Sequence, residues 1–225
     1  MPINIVFFGD SVCFGQYVSL HQCWVTLIAQ KLSEKYDVVV TNSSINGSTT
    51  RQALERMSYD LSKLNMDILT IQYGMNDCNY WETDKGMPRV SPDAFGINLK
   101  EIVERARIFG AKRIFLATNH RALVSKKHNP SFSFNYQVKL SLYNQIVRDV
   151  QAVYEFEYDH DITDAPYPLL IDIEKHFPRQ KSKLQELLLP DQLHLSPKGH
   201  QVYFEYVCPI IEKAIKELQC QKSSS

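Results

Sequence analysis

Residues 3–11 read INIVFFGDS. The apolar run from Ile3 to Phe8, interrupted only by Asn4, stops abruptly at Gly9-Asp10-Ser11. A short apolar run closed by glycine reads as a buried strand. The Gly9-Asp10-Ser11 end is either a plain turn or a nucleophile held at a strand end. The run is too short for a signal peptide and goes straight into Gly9-Asp10.

Working outward, short apolar runs alternate with helical periods. Trp24, Leu27, Ile28 and Leu32 recur at helical spacing, as do Ala53, Leu54, Met57, Leu61 and Leu64. DVVVT (37–41), DILTIQYG (67–74) and KRIFLAT (112–118) read as further strands. Ser91-Pro92-Asp93 reads as a helix start: a side-chain cap, a proline in the first turn and an acid at the positive end of the dipole. Phe95, Leu99, Ile102, Val103 and Ala106 continue that helix, and Gly110 ends it. Tyr143, Ile146, Val147 and Val150 mark another.

Two stretches compete for the fifth strand, VYEFEY (153–158) and LLIDI (169–173). The second is apolar enough to be buried on both faces and is preferred. Ser196-Pro197 opens a last helix running to about Leu218, with Pro209 inside it expected to remove a hydrogen bond and kink it. We expect one domain over 1–220 and a frayed tail at 221–225. Strand-helix alternation predicts a mostly parallel sheet with helices on both faces. Sites in such sheets lie beyond the carboxyl ends of the strands.

Composition narrows the function classes. Apolar residues make up 44%, enough for a sizeable core. Lys+Arg and Asp+Glu balance at 25 each, which argues against a general nucleic-acid binder. No apolar stretch of about 18 residues exists, so no membrane span is expected. The five cysteines include no C-x-x-C pair, so a zinc or redox pair is poorly supported. Scattered and odd in number, they suit reduced thiols, and a cytoplasmic location is expected.

The strand-end rule gathers polar groups on one edge: Ser11 after the first strand, Asn42 to Gly47 after the second, Gly74-Met75-Asn76-Asp77 after the third and Asn119-His120 after the fourth. Asp191-Gln192-Leu193-His194 precedes the last helix. A serine hydroxyl needs a base within hydrogen-bond reach, and the base needs an orienting partner. His194 is the candidate base and Asp191 its partner, three residues earlier on a turn. An acyl-transfer intermediate also needs oxyanion donors, for which the Ser11 N–H, the Gly47 N–H and the Asn76 amide are candidates.

This set resembles the SGNH hydrolase superfamily of GDSL-type esterases and lipases. Gly9-Asp10-Ser11 matches its first block, Gly47 its second, Gly74-Met75-Asn76-Asp77 its third and Asp191-Gln192-Leu193-His194 its fifth. Phe95-Gly96-Ile97-Asn98-Leu99, Tyr143-Asn144 and His194 to His200 are similar supporting text. The resemblance implies a flavodoxin-like three-layer α/β/α sandwich with a five-stranded parallel sheet. It implies Ser11 as nucleophile, His194 as base and Asp191 as orienting acid. Ser11, Gly47 and Asn76 would form the oxyanion hole, and no cofactor or metal is implied. Cys13 departs from the family's usual threonine; Cys13 and Cys78 are read as packing residues.

The expected reaction is hydrolysis of a carboxylic ester, with removal of a small or medium acyl group such as acetyl from a sugar or small molecule as the leading substrate. Tyr80, Trp81 and His120 are the candidate substrate-binding residues. The alternative is a non-catalytic module of the same fold that recognises an acylated or glycosylated partner; the presence of Ser11, Asn76 and His194 counts against it. A phosphorylation receiver using Asp10 lacks a second acid beside Asp10 and a lysine at a later strand end.

Overall fold

A computed structural model describes residues 2–124, 135–159 and 167–223. The opening run forms β1 (Ile3–Gly9), which pairs in parallel with β2 (Val38–Asn42) on one side and β3 (Ile68–Gln72) on the other. The sheet continues to β4 (Arg113–Ala117) and β5 (Leu169–Ile171), all parallel, in the order β2-β1-β3-β4-β5. This is the doubly wound order, with its topological switch between β1 and β3.

Side chains of β1 show the layering. Successive residues of a strand point to opposite faces. Phe7 meets the edge of Trp24 at 5.1 Å, and Trp24 opens α2 (Trp24–Ser33) and stacks at 4.5 Å on Tyr203 of α8 (Pro197–Ser223). Phe8, facing the other way, lies 4.3 Å under the guanidinium of Arg56 in α3 (Thr50–Leu61). On that second face α4 (Pro92–Ile108) packs on α3, and α5 (Tyr136–Asp159) on α4. The five-stranded parallel sheet is thus sandwiched between helices in three α/β/α layers, as expected. β1 and β3 are buried almost throughout, which is why they read as apolar runs.

The helix starts match their sequence signals. Ser91 Oγ accepts from Ala94 N with Pro92 in the first turn, and Thr49 and Gln52 form a reciprocal capping box on α3. Gly110 adopts φ 87° just past α4.

Several expectations need correction. The fifth strand ends at Ile171, because Asp172 leaves the sheet to cap the short helix α6 (Ile173–His176), accepting from Lys175 N. The rejected stretch 153–158 is helical, part of α5. A second short helix, α7 (Lys181–Gln185), follows α6. The last helix continues past Leu218 to Ser223, so most of the expected tail is helical. Residues 160–166, part of the connection before β5, lie outside the described residues.

Candidate active site

β1 ends in glycine, acid and hydroxyl for a separate physical reason at each residue. A Cβ on Gly9 would sit 2.7 Å from Cys13 Sγ and 2.8 Å from the Gln72 carbonyl, so nothing larger fits. Asp10 caps the helix α1 (Ser11–Phe14): its Oδ1 accepts from Val12 N at 3.0 Å. Ser11 is then the first helical residue, whose N–H has no acceptor within the helix.

The loop from 191 to 194 brings the imidazole to this hydroxyl. Gln192 adopts φ 60°, which curls the chain so that Asp191 Oδ1 accepts from both Leu193 N and His194 N at 3.0 Å. Asp191 Oδ2 takes His194 Nδ1 at 2.6 Å. An ionised carboxylate only accepts, so the proton lies on Nδ1 and the Nε2 lone pair faces Ser11 Oγ, which donates at 3.0 Å. Burial alone would raise the Asp191 pKa, but the His194 and backbone N–H bonds outweigh it and hold the carboxyl below its usual range.

The loop after β3 reaches the same edge. Asn76 donates from Nδ2 to Asp10 Oδ2 at 3.2 Å, which leaves its second amide hydrogen for another acceptor. Asp77 is fully buried and takes Thr50 N at 2.9 Å, Thr50 Oγ1 at 2.6 Å and Gly74 N at 3.2 Å. It thereby fixes this loop to the start of α3. Asn98 adds a bond to Thr50 Oγ1 at 3.0 Å. Asn144 brackets the end of β4 by bonding both N and O of Asn119. The loop after β2 hangs from β1 through Ile45 N to Gly9 O at 3.1 Å, and Gly47 adopts φ 74°.

A family model described as GDSL-like Lipase/Acylhydrolase matches residues 7–202, which carry this whole constellation. The chain belongs to this family. Among its relatives is the uncharacterized lipoprotein YqeF of Bacillus subtilis, 28% identical over 90% of this chain and 86% of that protein. An arylesterase of Vibrio mimicus is 25% identical over 93% of this chain and 88% of its own. The crystal structure of a lipase/acylhydrolase from Enterococcus faecalis superposes with a TM-score of 0.70 at 21% identity, over 94% of this chain and 96% of that one. This last likeness is one of fold.

Around the GDSL-family constellation, three expected substrate-binding residues fall in different places. Trp81 is exposed and packs against Arg89, whose Cζ lies 5.1 Å from the ring. Tyr80, its neighbour, is buried. His120 is buried as well: its Nε2 donates to the Leu193 carbonyl at 2.9 Å, directly behind the 191–194 loop. Burial lowers its pKa to about 4, so it stands there neutral. Cys13 and Cys78 are fully buried, bonded to Gln72 Oε1 and the Met75 carbonyl, and burial pushes both thiols up. Asp10 has both oxygens occupied by protein N–H donors, unlike a receiver acid open to phosphate.

Two residues escaped the sequence reading. Tyr17 is 70% exposed, holds φ 70° and presents its ring edge-on to His194 at 5.1 Å. Backbone held in this sparsely populated region concentrates at functional sites. Arg89 reaches the Gly47 carbonyl at 2.9 Å. Neither sits in a recognisable motif, and only packing brings them in.

Proposed function

We propose that Ser11, His194 and Asp191 are the nucleophile, base and orienting acid of a serine carboxylic ester hydrolase. The hydrogen-bond chain from Ser11 Oγ through His194 to Asp191 carries this reading. Ester hydrolysis is the chemistry of the GDSL-like lipase/acylhydrolase family and of the relatives named esterases. Ser11 Oγ attacks the ester carbonyl as His194 Nε2 takes its proton. The tetrahedral oxyanion is held by the N–H groups of Ser11 and Gly47 and by the free Asn76 amide hydrogen. Collapse expels the alcohol, protonated by His194, and leaves an acyl-serine. Water, deprotonated by His194, then attacks the acyl carbon and returns Ser11 and the free acid. Every proton moves between this chain's own residues, substrate and water.

For substrate we propose a small or medium O-acyl ester, with acetyl on a sugar or other small ring alcohol foremost. The exposed rings of Tyr17, beside His194, and of Trp81, linked through Arg89 to Gly47, support it as flat apolar flanks for an alcohol. Among the described residues no helix is long and apolar enough to cross a membrane. The buried thiols of Cys13, Cys23, Cys78 and Cys208, none in a disulfide, favour the cytoplasm.

The test is hydrolysis of p-nitrophenyl acetate, butyrate and octanoate by wild type beside Ser11→Ala. Ser11-dependent release that falls with chain length is expected. Absence of both Ser11-dependent release and fluorophosphonate labelling would leave a binding module instead.

A further inference from the structure

The two loops that carry Gly47 and Asn76 come from strands on opposite sides of β1: Gly47 follows β2, and Asn76 follows β3. Donors on separate loops hold an oxyanion only if their spacing is fixed beforehand. Gly47 sits at φ 74°, in a region that glycine enters and leaves at little cost, so its loop needs an outside restraint.

The segment after Asn76 supplies one. It passes through a short 3-10 turn at Glu82–Asp84 and returns to its own origin. There Arg89 N donates to Asn79 O at 2.7 Å, and Val90 N donates to Asp77 O at 3.1 Å. The backbone of Arg89 is therefore bolted to the Asn76 loop. Its side chain crosses to the other loop: Nη1 donates to the Gly47 carbonyl at 2.9 Å, and Nη2 approaches Gln52 Oε1 at 3.4 Å. Gln52 Oε1 also accepts from Thr49 N at 3.0 Å, within the capping box that starts α3. The indole of Trp81 lies against the guanidinium and limits its freedom. Among the described residues no carboxylate forms an ion pair with Arg89, so no rival partner draws the fork away from Gly47.

We infer that Arg89 is a positioning residue that locks the Gly47 loop to the Asn76 loop and so sets the geometry of the oxyanion hole. This rests on the proposed role of Gly47 and Asn76. The guanidinium fixes the Gly47 carbonyl and with it the loop's peptide planes, and the Gly47 N–H then keeps its direction as charge develops on the substrate oxygen. A lysine would supply the charge without the fork that spans Gly47 O and Gln52.

The experiment compares wild type with Arg89→Ala, Arg89→Met, Arg89→Lys, Asn76→Ala and Ser11→Ala on p-nitrophenyl acetate, with thermal unfolding of each. Arg89→Met keeps the apolar stem against Trp81 if the alanine variant is poorly folded. We expect kcat to fall about tenfold or more in the alanine and methionine variants, less than the full loss of a donor. KM should move less than about twofold, Arg89→Lys should recover only part of the rate, and millimolar guanidinium should restore some activity to Arg89→Ala. An unchanged kcat in folded Arg89→Met, or a loss confined to KM, would overturn the inference. If Ser11→Ala kept full activity, the esterase reading itself would fall. If Asn76→Ala were harmless while Ser11→Ala was dead, the oxyanion assignment alone would fall.

Discussion

Asp10 Oδ2 accepts the Asn76 side-chain amide at 3.2 Å while Asp10 Oδ1 caps the helix that Ser11 begins. One carboxyl group therefore ties the turn that carries Ser11 to the loop after β3. It does so fully buried, and burial raises its pKa to about 7.

Asn76→Ala should lower kcat about a hundredfold, the cost of one oxyanion donor. Asp10→Asn should lower kcat too, because an amide at position 10 turns a donor toward the Asn76 amide and reverses its orientation. Once Asn76 is alanine, Asp10→Asn should cost little more, so the two changes are non-additive in a double-mutant cycle. Full additivity would show that Asp10 acts elsewhere.

The same Asp10→Asn variant has a pH signature in stability. The folded-state pKa near 7 exceeds the usual carboxylate value of 3.8, so the native state binds a proton first as pH falls from about 7 to 4. Wild type should therefore gain stability over that window from this group, and the uncharged variant should not. Melting temperatures at pH 8 and pH 5 check it: relative to wild type, the variant should melt lower at pH 5 than it does at pH 8.

Asp191→Asn should keep the fold but lower kcat about a thousandfold or more. The amide can still accept from Leu193 N and His194 N, but it no longer selects the His194 tautomer with its lone pair toward Ser11. Pre-steady-state acylation with p-nitrophenyl acetate reads this loss directly. A fall of less than about tenfold would remove Asp191 from its proposed role.

Arg148 should govern part of the acid stability. Its guanidinium donates to both oxygens of Asp172, at 3.0 and 2.8 Å, and to Glu174 Oε2 at 2.8 Å. Burial would raise the Asp172 pKa, but the bonds from Arg148 and Lys175 prevail and hold it at about 2. This depressed pKa contributes stability that is complete above the usual 3.8 and lost as pH falls toward 2. Arg148→Met should cost about 2 kcal/mol at neutral pH by leaving buried carboxylates short of donors. It should also flatten the decline in melting temperature between pH 4 and pH 2.

Much of this was legible in the chain. INIVFFG declares a strand because a parallel strand buried on both faces has no polar alternation to show. Ser91-Pro92-Asp93 and Asp191 to His194 declare a helix start and a local acid–imidazole pair because their bonds span three residues. β5 ends two residues before the apolar run does because Asp172, besides capping α6 at Lys175 N, is drawn to Arg148 and Thr118 across the fold, partners that no local pattern records.

The sequence by itself determined the alternation of strands and helices, the polar groups at the strand ends and the Asp191–His194 pairing. Each depends on hydrogen bonds and apolar periods a few residues long. Only the tertiary structure decided that His194 meets Ser11 across 183 residues, that Asp10 holds Asn76 and that Arg89 holds Gly47. It also decided that Trp81 faces out while Tyr80 and His120 are buried. Those relations arise where separate layers and loops pack together, and no local pattern along the chain records which side chain the other layer will meet.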